Sequence, residues 1–201
     1  MTARTIAVVT AGLSQPSSTR LLADRLAEAT RAALGPETTV EVIELREVAV
    51  DVTNNLLTGF PSPRLRKAID TVTRADALIA VTPVFTASYS GLFKSFFDVL
   101  DKEALDGKPA LLAATGGTER HSLVLDFALR PLFAYLRATP VATGVYAASS
   151  DWGSVAATGA LQQRVERAAG ELAALVSAAP EAVGEPEFAS VPFEQLLSGG
   201  V

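Results

Sequence analysis

Short apolar runs alternate along this chain with longer segments whose apolar residues recur every three to four positions, and that alternation leaves few folds open. Strand, helix and strand in repetition build a parallel sheet with helices on both faces. The strand candidates are residues 5–10, 39–45, 77–82, 110–115 and 141–147, with the third and fourth reading as central. Helices are expected over residues 18–34, with Leu22, Leu26, Ala29 and Ala33 on one face, and over 63–74. Another begins near Tyr89 and carries Leu92, Phe93, Phe96, Phe97 and Leu100, a stripe too wide for a helix facing water. A further helix over 121–137 contains Pro131, which lacks the N–H that would bond the preceding turn, so a kink or a π-type bulge is expected just before it. The last long helix, residues 156–178, aligns Leu161, Val165, Ala168, Leu172 and Leu175.

The chain has 201 residues, enough to bury the core such a sheet requires. The expectation is one domain over residues 1–180, followed by an extended tail, 181–201, docked on the domain or on a neighbouring subunit. Cysteine is absent, which excludes disulfides, thiolate zinc sites and a cysteine nucleophile. Seventeen basic against 22 acidic side chains give a net charge of −5, so nothing electrostatic points to nucleic acid. The start Met1-Thr-Ala-Arg-Thr5 runs directly into Ile6-Ala-Val-Val9 without a signal-peptide core, and no apolar run reaches the roughly 18 residues of a spanning helix. A cytoplasmic protein is the simplest reading. The 49% hydrophobic share, much of it alanine, suggests close helix packing and buried subunit contacts.

Parallel sheets of this kind bind ligands beyond the carboxyl ends of their strands, where strand order reverses. The loop after the first strand, Thr10-Ala-Gly-Leu-Ser-Gln-Pro-Ser-Ser-Thr19, combines one glycine with several hydroxyls and opens a helix. Its amides and the hydroxyls of Ser14, Ser18 and Thr19 suit a phosphate dianion at the positive end of the helix dipole. A plain serine N-cap is the other reading of the same residues. The loop is neither a Walker motif nor a dinucleotide fingerprint, since the lysine of the one and two glycines of the other are missing, so it suits a mononucleotide. The loop after the third strand begins Thr82-Pro-Val-Phe-Thr86, and Pro83 would hold it as a ledge for a planar ring or simply as a turn. After the fourth strand, Ala114-Thr-Gly-Gly-Thr118 lets backbone approach a flat ligand closely, or turns the chain.

Gly12-Leu-Ser14, Ser17-Ser-Thr19, the run from Thr82 to Lys94, Ala114-Thr-Gly-Gly117 and Asp126-Phe-Ala-Leu-Arg-Pro131 together resemble the NADPH-dependent FMN reductases. The likeness spans roughly residues 4–150 and is strongest to the branch that supplies reduced flavin to luciferase-like monooxygenases, as in alkanesulfonate desulfonation. It implies a flavodoxin-like, doubly wound, five-stranded α/β fold of strand order 2-1-3-4-5. It implies FMN as cofactor or substrate, NADPH or NADH as reductant, a homodimer or homotetramer that completes the flavin site, and a two-component flavin-dependent monooxygenase as partner. By position, Ser14, Ser17, Ser18 and Thr19 would hold the phosphate. Pro83, Val84, Phe85 and Thr86 would line the ring, and Thr115, Gly116 and Gly117 would bond its polar edge. Phe85 and Thr86 depart from the commonest pattern, which has tyrosine and asparagine there.

The activity so implied is hydride transfer from nicotinamide to flavin N5, which needs no catalytic side chain and no metal from the protein. His121 is a candidate for touching flavin or nicotinamide, with capping or positioning the favoured reading, and Arg20, Arg120 and Arg130 are candidates for the dinucleotide phosphates on no stronger ground than any surface arginine. Phe127 is a candidate for a subunit interface or for the core, and Trp152 for an interface or a packed loop. The alternative readings are an FMN-containing quinone or azo reductase and a flavodoxin-type electron carrier that turns nothing over.

Overall fold

The computed structural model describes residues 3–153 and 155–179, so the expected tail at 181–201 lies outside the described residues. The chain runs β1 (Thr5–Thr10), α1 (Ser18–Leu34), β2 (Thr39–Glu44), α2 (Ala49–Thr58), α3 (Pro63–Arg74) and β3 (Ala77–Phe85). It continues through β4 (Ser88–Tyr89), α4 (Gly91–Asp98), β5 (Pro109–Gly116), α5 (Arg130–Tyr135), β6 (Thr139–Pro140), β7 (Val145–Ala148) and α6 (Val155–Ala178). Strands lie in the order β2-β1-β3-β5-β6, all parallel, and β7 pairs with the later part of β5. This is the flavodoxin-like order 2-1-3-4-5, with two short strands sharing the fifth place.

The sheet forms because its central strands are apolar on both sides and each side has its own helices. Ile6, Val8, Ile79, Val81, Leu111 and Ala113 face α1 and α6, packing on Leu22, Leu26, Leu161, Val165 and Leu172. The alternate residues Ala7, Val9, Leu78, Ala80, Leu112 and Ala114 face the opposite layer of α2 to α5. There Phe93, Phe96 and Phe97 of α4 interlock with Phe133 of α5, with ring centroids 4.8 to 6.3 Å apart, which explains the broad apolar stripe. On α6 the buried residue of the last turns is Val176, and Leu175 is only partly covered.

Helix ends follow local chemistry. Ser17, Ser62 and Ser90 each cap a helix by accepting an N–H three residues on, and Pro63 takes the first helical position, where no N–H is needed. The cap at Ser90 moves the start of α4 to Gly91 from the expected Tyr89. α2 is not anticipated by periodicity, because Ala49-Val-Asp-Val-Thr-Asn-Asn is rich in poor helix formers and buries only Val52. Before Pro131 the backbone widens into a π-helical segment, Leu125–Leu129, as the missing N–H requires.

The fifth strand corrects the expectation of a continuous run over residues 141–147. Val141 N–H still donates to Ala110 O at 2.9 Å, but beyond it two charged side chains replace the ladder. Arg130 donates to the carbonyls of Val141, at 3.0 Å, and Ala142. Glu171 accepts from Thr143 N at 2.7 Å and from Thr143 Oγ1 at 2.6 Å. Pairing resumes at Val145, after Gly144, where a Cβ would press to 3.1 Å against Leu125.

Candidate functional site

The loops after β1, β3 and β5 converge with Ser149, just beyond β7, on a cavity of about 330 Å³. Ten of the eleven expected residues border it: Ser14, Ser17, Ser18 and Thr19, then Pro83, Val84 and Phe85, then Thr115, Gly116 and Gly117. Gly12, Leu13 and Ser149 complete the lining. Ser149 was missed by the motif reading, although the loop after the fifth strand opens at the same edge of the sheet and is the signal that could have found it. Larger grooves lie between α1 and α6 and between β2 and α3, about 680 and 540 Å³, but they are lined largely by residues of those helices and that strand rather than by converging loops.

The structure divides the hydroxyls of the first loop between tasks. Ser17 Oγ caps α1 by accepting from Arg20 N at 3.2 Å. Gly12 must be glycine for that cap to close, since a Cβ there would stand 2.1 Å from Ser17 Oγ. Thr19 is buried, and its Oγ1 lies 2.8 Å from Thr115 Oγ1, joining the first loop to the third. Ser14 and Ser18 remain exposed. With the Arg20 N–H on Ser17 Oγ and the Leu21 N–H on Ser17 O, the Ser18 and Thr19 amides are the first-turn donors left over by the helix. Thr10 Oγ1, at the end of β1, is buried with no hydrogen-bond partner among the described residues. Arg20 is committed to Asp24 at 2.7 Å and Glu44 at 2.5 Å, and Glu44 also holds Arg46 at 2.8 Å. An anion at this corner would therefore be met by amides and the helix end rather than by a free guanidinium.

The second loop is a hairpin. β3 runs past the expected end at Thr82 to Phe85, and Val84 and Phe85 pair antiparallel with Tyr89 and Ser88. Thr86 and Ala87 form its tip with φ of 48° and 68°, which places Thr86 outside the cavity lining, unlike its expected partners. The buried Thr82 Oγ1 accepts from Ser90 N at 3.0 Å and ties the hairpin to the start of α4. Phe85 is 46% exposed beside the cavity.

In the third loop the two glycines differ. A Cβ on Gly116 would meet Tyr146 Oη at 2.0 Å, so this glycine is imposed by a neighbour within the fold, whereas a Cβ on Gly117 would meet nothing within 4 Å. Close approach by a ligand is thus open at Gly117. The Tyr146 phenol donates to Thr118 O at 2.7 Å.

Of the remaining candidates, His121 and Arg120 are exposed in a 3-10 turn after β5. Arg130 is engaged by Asp126 and the broken edge strand. Phe127 is 78% exposed, which removes the core from its two readings. Trp152 is partly buried against the α1/α6 core with the Arg25 guanidinium 4.7 Å from its ring centre. Among the described residues no group of histidines and carboxylates could hold a metal, and no helix is long and apolar enough to cross a membrane.

Fold and cavity define a flavodoxin-like protein with a cavity at its topological switch point. Residues 4–153 match the family model described as NADPH-dependent FMN reductase. An FMN reductase (NADPH) of Pseudomonas aeruginosa is 40% identical over 73% of this chain and 78% of its own. The NADH-dependent FMN reductase SfnF of Pseudomonas putida is 39% identical over 71% and 76%. The crystal structure of an oxidoreductase from Corynebacterium diphtheriae superimposes with a TM-score of 0.84 at 48% identity, covering 88% of this chain and 98% of that one. The chain belongs to the NADPH-dependent FMN reductase family, whose members are NAD(P)H:FMN oxidoreductases.

Proposed function

We propose that the cavity at the ends of β1, β3 and β5 is the flavin site, and that this chain reduces FMN with NADPH or NADH and passes the reduced flavin to a monooxygenase. The observation that carries the reading is the convergence of ten residues from three separate loops on one small cavity beside an anion-receptive helix end. The residues present fit FMN. The free Ser18 and Thr19 amides, with the hydroxyls of Ser14 and Ser18, would hold the phosphate. Pro83, Val84 and Phe85 would line the ring, and Thr115, Gly116 and Gly117 would face its polar edge. Ser17, Thr19 and Thr115 contribute by fixing the shape of the loops, and Thr86 by turning the hairpin.

When bound, FMN would supply the two-electron hydride chemistry that the side chains of the protein lack. The chain's own part is to orient the rings and to direct backbone N–H groups at the place where negative charge develops. No side-chain acid or base is assigned. The exposed Leu123, Phe127 and Tyr135 support assembly into a homo-oligomer.

The reading is tested by following NADPH and NADH oxidation at 340 nm with and without added FMN, FAD and riboflavin. FMN-dependent turnover by a nearly colourless protein is expected. Faster reduction of quinones or azo dyes with flavin retained through gel filtration would replace it with the quinone reductase reading, and no turnover at all with the electron carrier. The division of hydroxyls is separable too. Ser18→Ala should weaken FMN by about 1.5–3 kcal/mol with little effect on riboflavin, whereas Ser17→Ala should cost about 1 kcal/mol of stability through the lost cap. Equal losses of both flavins in Ser18→Ala would remove the phosphate from this loop.

A further inference from the structure

We propose that Tyr146 is a positioning residue for the flavin site: its phenol latches the third loop from beneath and holds the Gly116–Gly117 backbone in the shape that receives the ring. The inference rests on the reading of that loop as the one facing the flavin edge, and it adds a residue that no motif of the sequence marks.

Tyr146 belongs to β7, the outer strand alongside β5, and pairs in register with Ala114. It is 8% exposed, and its hydroxyl emerges under the loop that leaves β5. There it donates to Thr118 O at 2.7 Å, a long-range bond from the strand to the backbone just past the double glycine. The fit is tight as well as polar, because the phenol oxygen occupies the space where a Cβ of residue 116 would stand, 2.0 Å from it. Glycine at 116 and tyrosine at 146 therefore form a complementary pair, the one absent side chain making room for the other's hydroxyl. A second tie joins the loop to the turn after β7, with Ser150 Oγ donating to Glu119 Oε1 at 3.2 Å. Asp151 closes the same corner by accepting from Ala148 N at 2.8 Å and from Arg164 at 3.2 Å.

Burial, with the carboxylates of Glu119 and Asp151 nearby, raises the phenol above its ordinary pKa, and the Arg164 guanidinium, besides its bond to Asp151, meets Tyr146 at the backbone carbonyl, 3.5 Å away, and not at the phenol. The hydroxyl is thus a hydrogen-bond donor throughout the neutral range. A tyrosine with no reach to ligand chemistry of its own can in this way decide where two backbone amides point, which is the kind of support a site built on loops requires.

The test uses the full chain and the Tyr146→Phe variant, which keeps the ring and removes only the hydroxyl. In the flavin-free protein, exchange of the Ser122 amide, which donates to Glu119 O at 3.0 Å in the turn that the latch holds, should accelerate about threefold to tenfold, and the dissociation constant for FMN should rise by a similar factor, as expected for one lost hydrogen bond. KM for FMN should rise while kcat is kept, a split that a general loss of stability would not give. Gly116→Ala should lose FMN more severely than Tyr146→Phe, and combining the two should recover affinity toward that of Tyr146→Phe alone, because the colliding hydroxyl is gone. Unchanged exchange in Tyr146→Phe overturns the latch. Faster exchange with unchanged FMN affinity and KM overturns its positioning role. If the unaltered protein binds no FMN, the flavin reading fails, and the exchange measurement still decides whether the latch exists.

Discussion

Thr86 and Ala87 sit in the left-handed region at the hairpin tip, φ 48° and 68°, where a two-residue turn of the mirror-image type needs both central residues. That conformation suits asparagine and glycine and costs a β-branched or alanyl residue roughly 1–2 kcal/mol each. The departure from asparagine at position 86 is therefore a conformational cost as much as a lost polar contact. Thr86→Asn is expected to stabilise the protein by about 0.5–1 kcal/mol, visible as a rise of roughly 1–4 °C in Tm. Ala87→Gly should do the same, diminished by the greater freedom glycine has in the unfolded chain. A fall in Tm for both variants would show that the tip is held in this shape by something other than its own turn. The same residue explains a miss in the sequence reading: Thr86 stands inside the motif but turns the chain at the tip, a direction that depends on φ and leaves no trace in residue order.

Among the elements, the π-helical segment and the interrupted fifth strand are one construction, because Arg130 follows directly on Leu125–Leu129 and donates to the carbonyls exposed by the break. Its Nε also meets Asp126 within the segment at 3.0 Å. Arg130→Met should cost about 1.5 kcal/mol, the value of hydrogen bonds from a charged group, and should speed amide exchange over residues 141–145 before any global unfolding. Unaltered exchange there would mean that Glu171 alone keeps the break closed. Pro131 made the bulge legible in the sequence, since the absence of one N–H is written in the residue itself. The break was not legible. Val141-Ala-Thr-Gly-Val145 has the apolar character of a strand, and what stops it is the side chains of Arg130 and Glu171, brought from elsewhere in the chain. α2 escaped notice for a related reason, as its helix is set by packing of Val52 beneath poor local propensity.

At the scale of the molecule, the two cores are complete on either side of the sheet, yet Leu123, Phe127 and Tyr135 stay in solvent on the π-helical side, 60 to 79% exposed. Exposed apolar side chains of this kind are what a contact between copies, as proposed above, would cover. Phe127→Ser should shift sedimenting species toward the 20.9 kDa single chain while leaving the stability of that chain within about 0.5 kcal/mol. Equal sedimentation of both proteins would place the contact elsewhere. The fold class and the three loops were legible because apolar periodicity and glycine placement act locally. The latch at Tyr146 and the coupling of Thr19 to Thr115 were not, because each joins residues far apart in the chain. The broken edge has a last consequence for how copies can meet. An uninterrupted outer strand would offer a row of open N–H and C=O groups, a template on which another chain could add itself without limit. With Arg130 and Glu171 holding the carbonyls of Val141 and Ala142 and the N–H of Thr143, the stretch between β6 and β7 interrupts any such template, and the margin offers only two short pieces of strand for another chain to pair with.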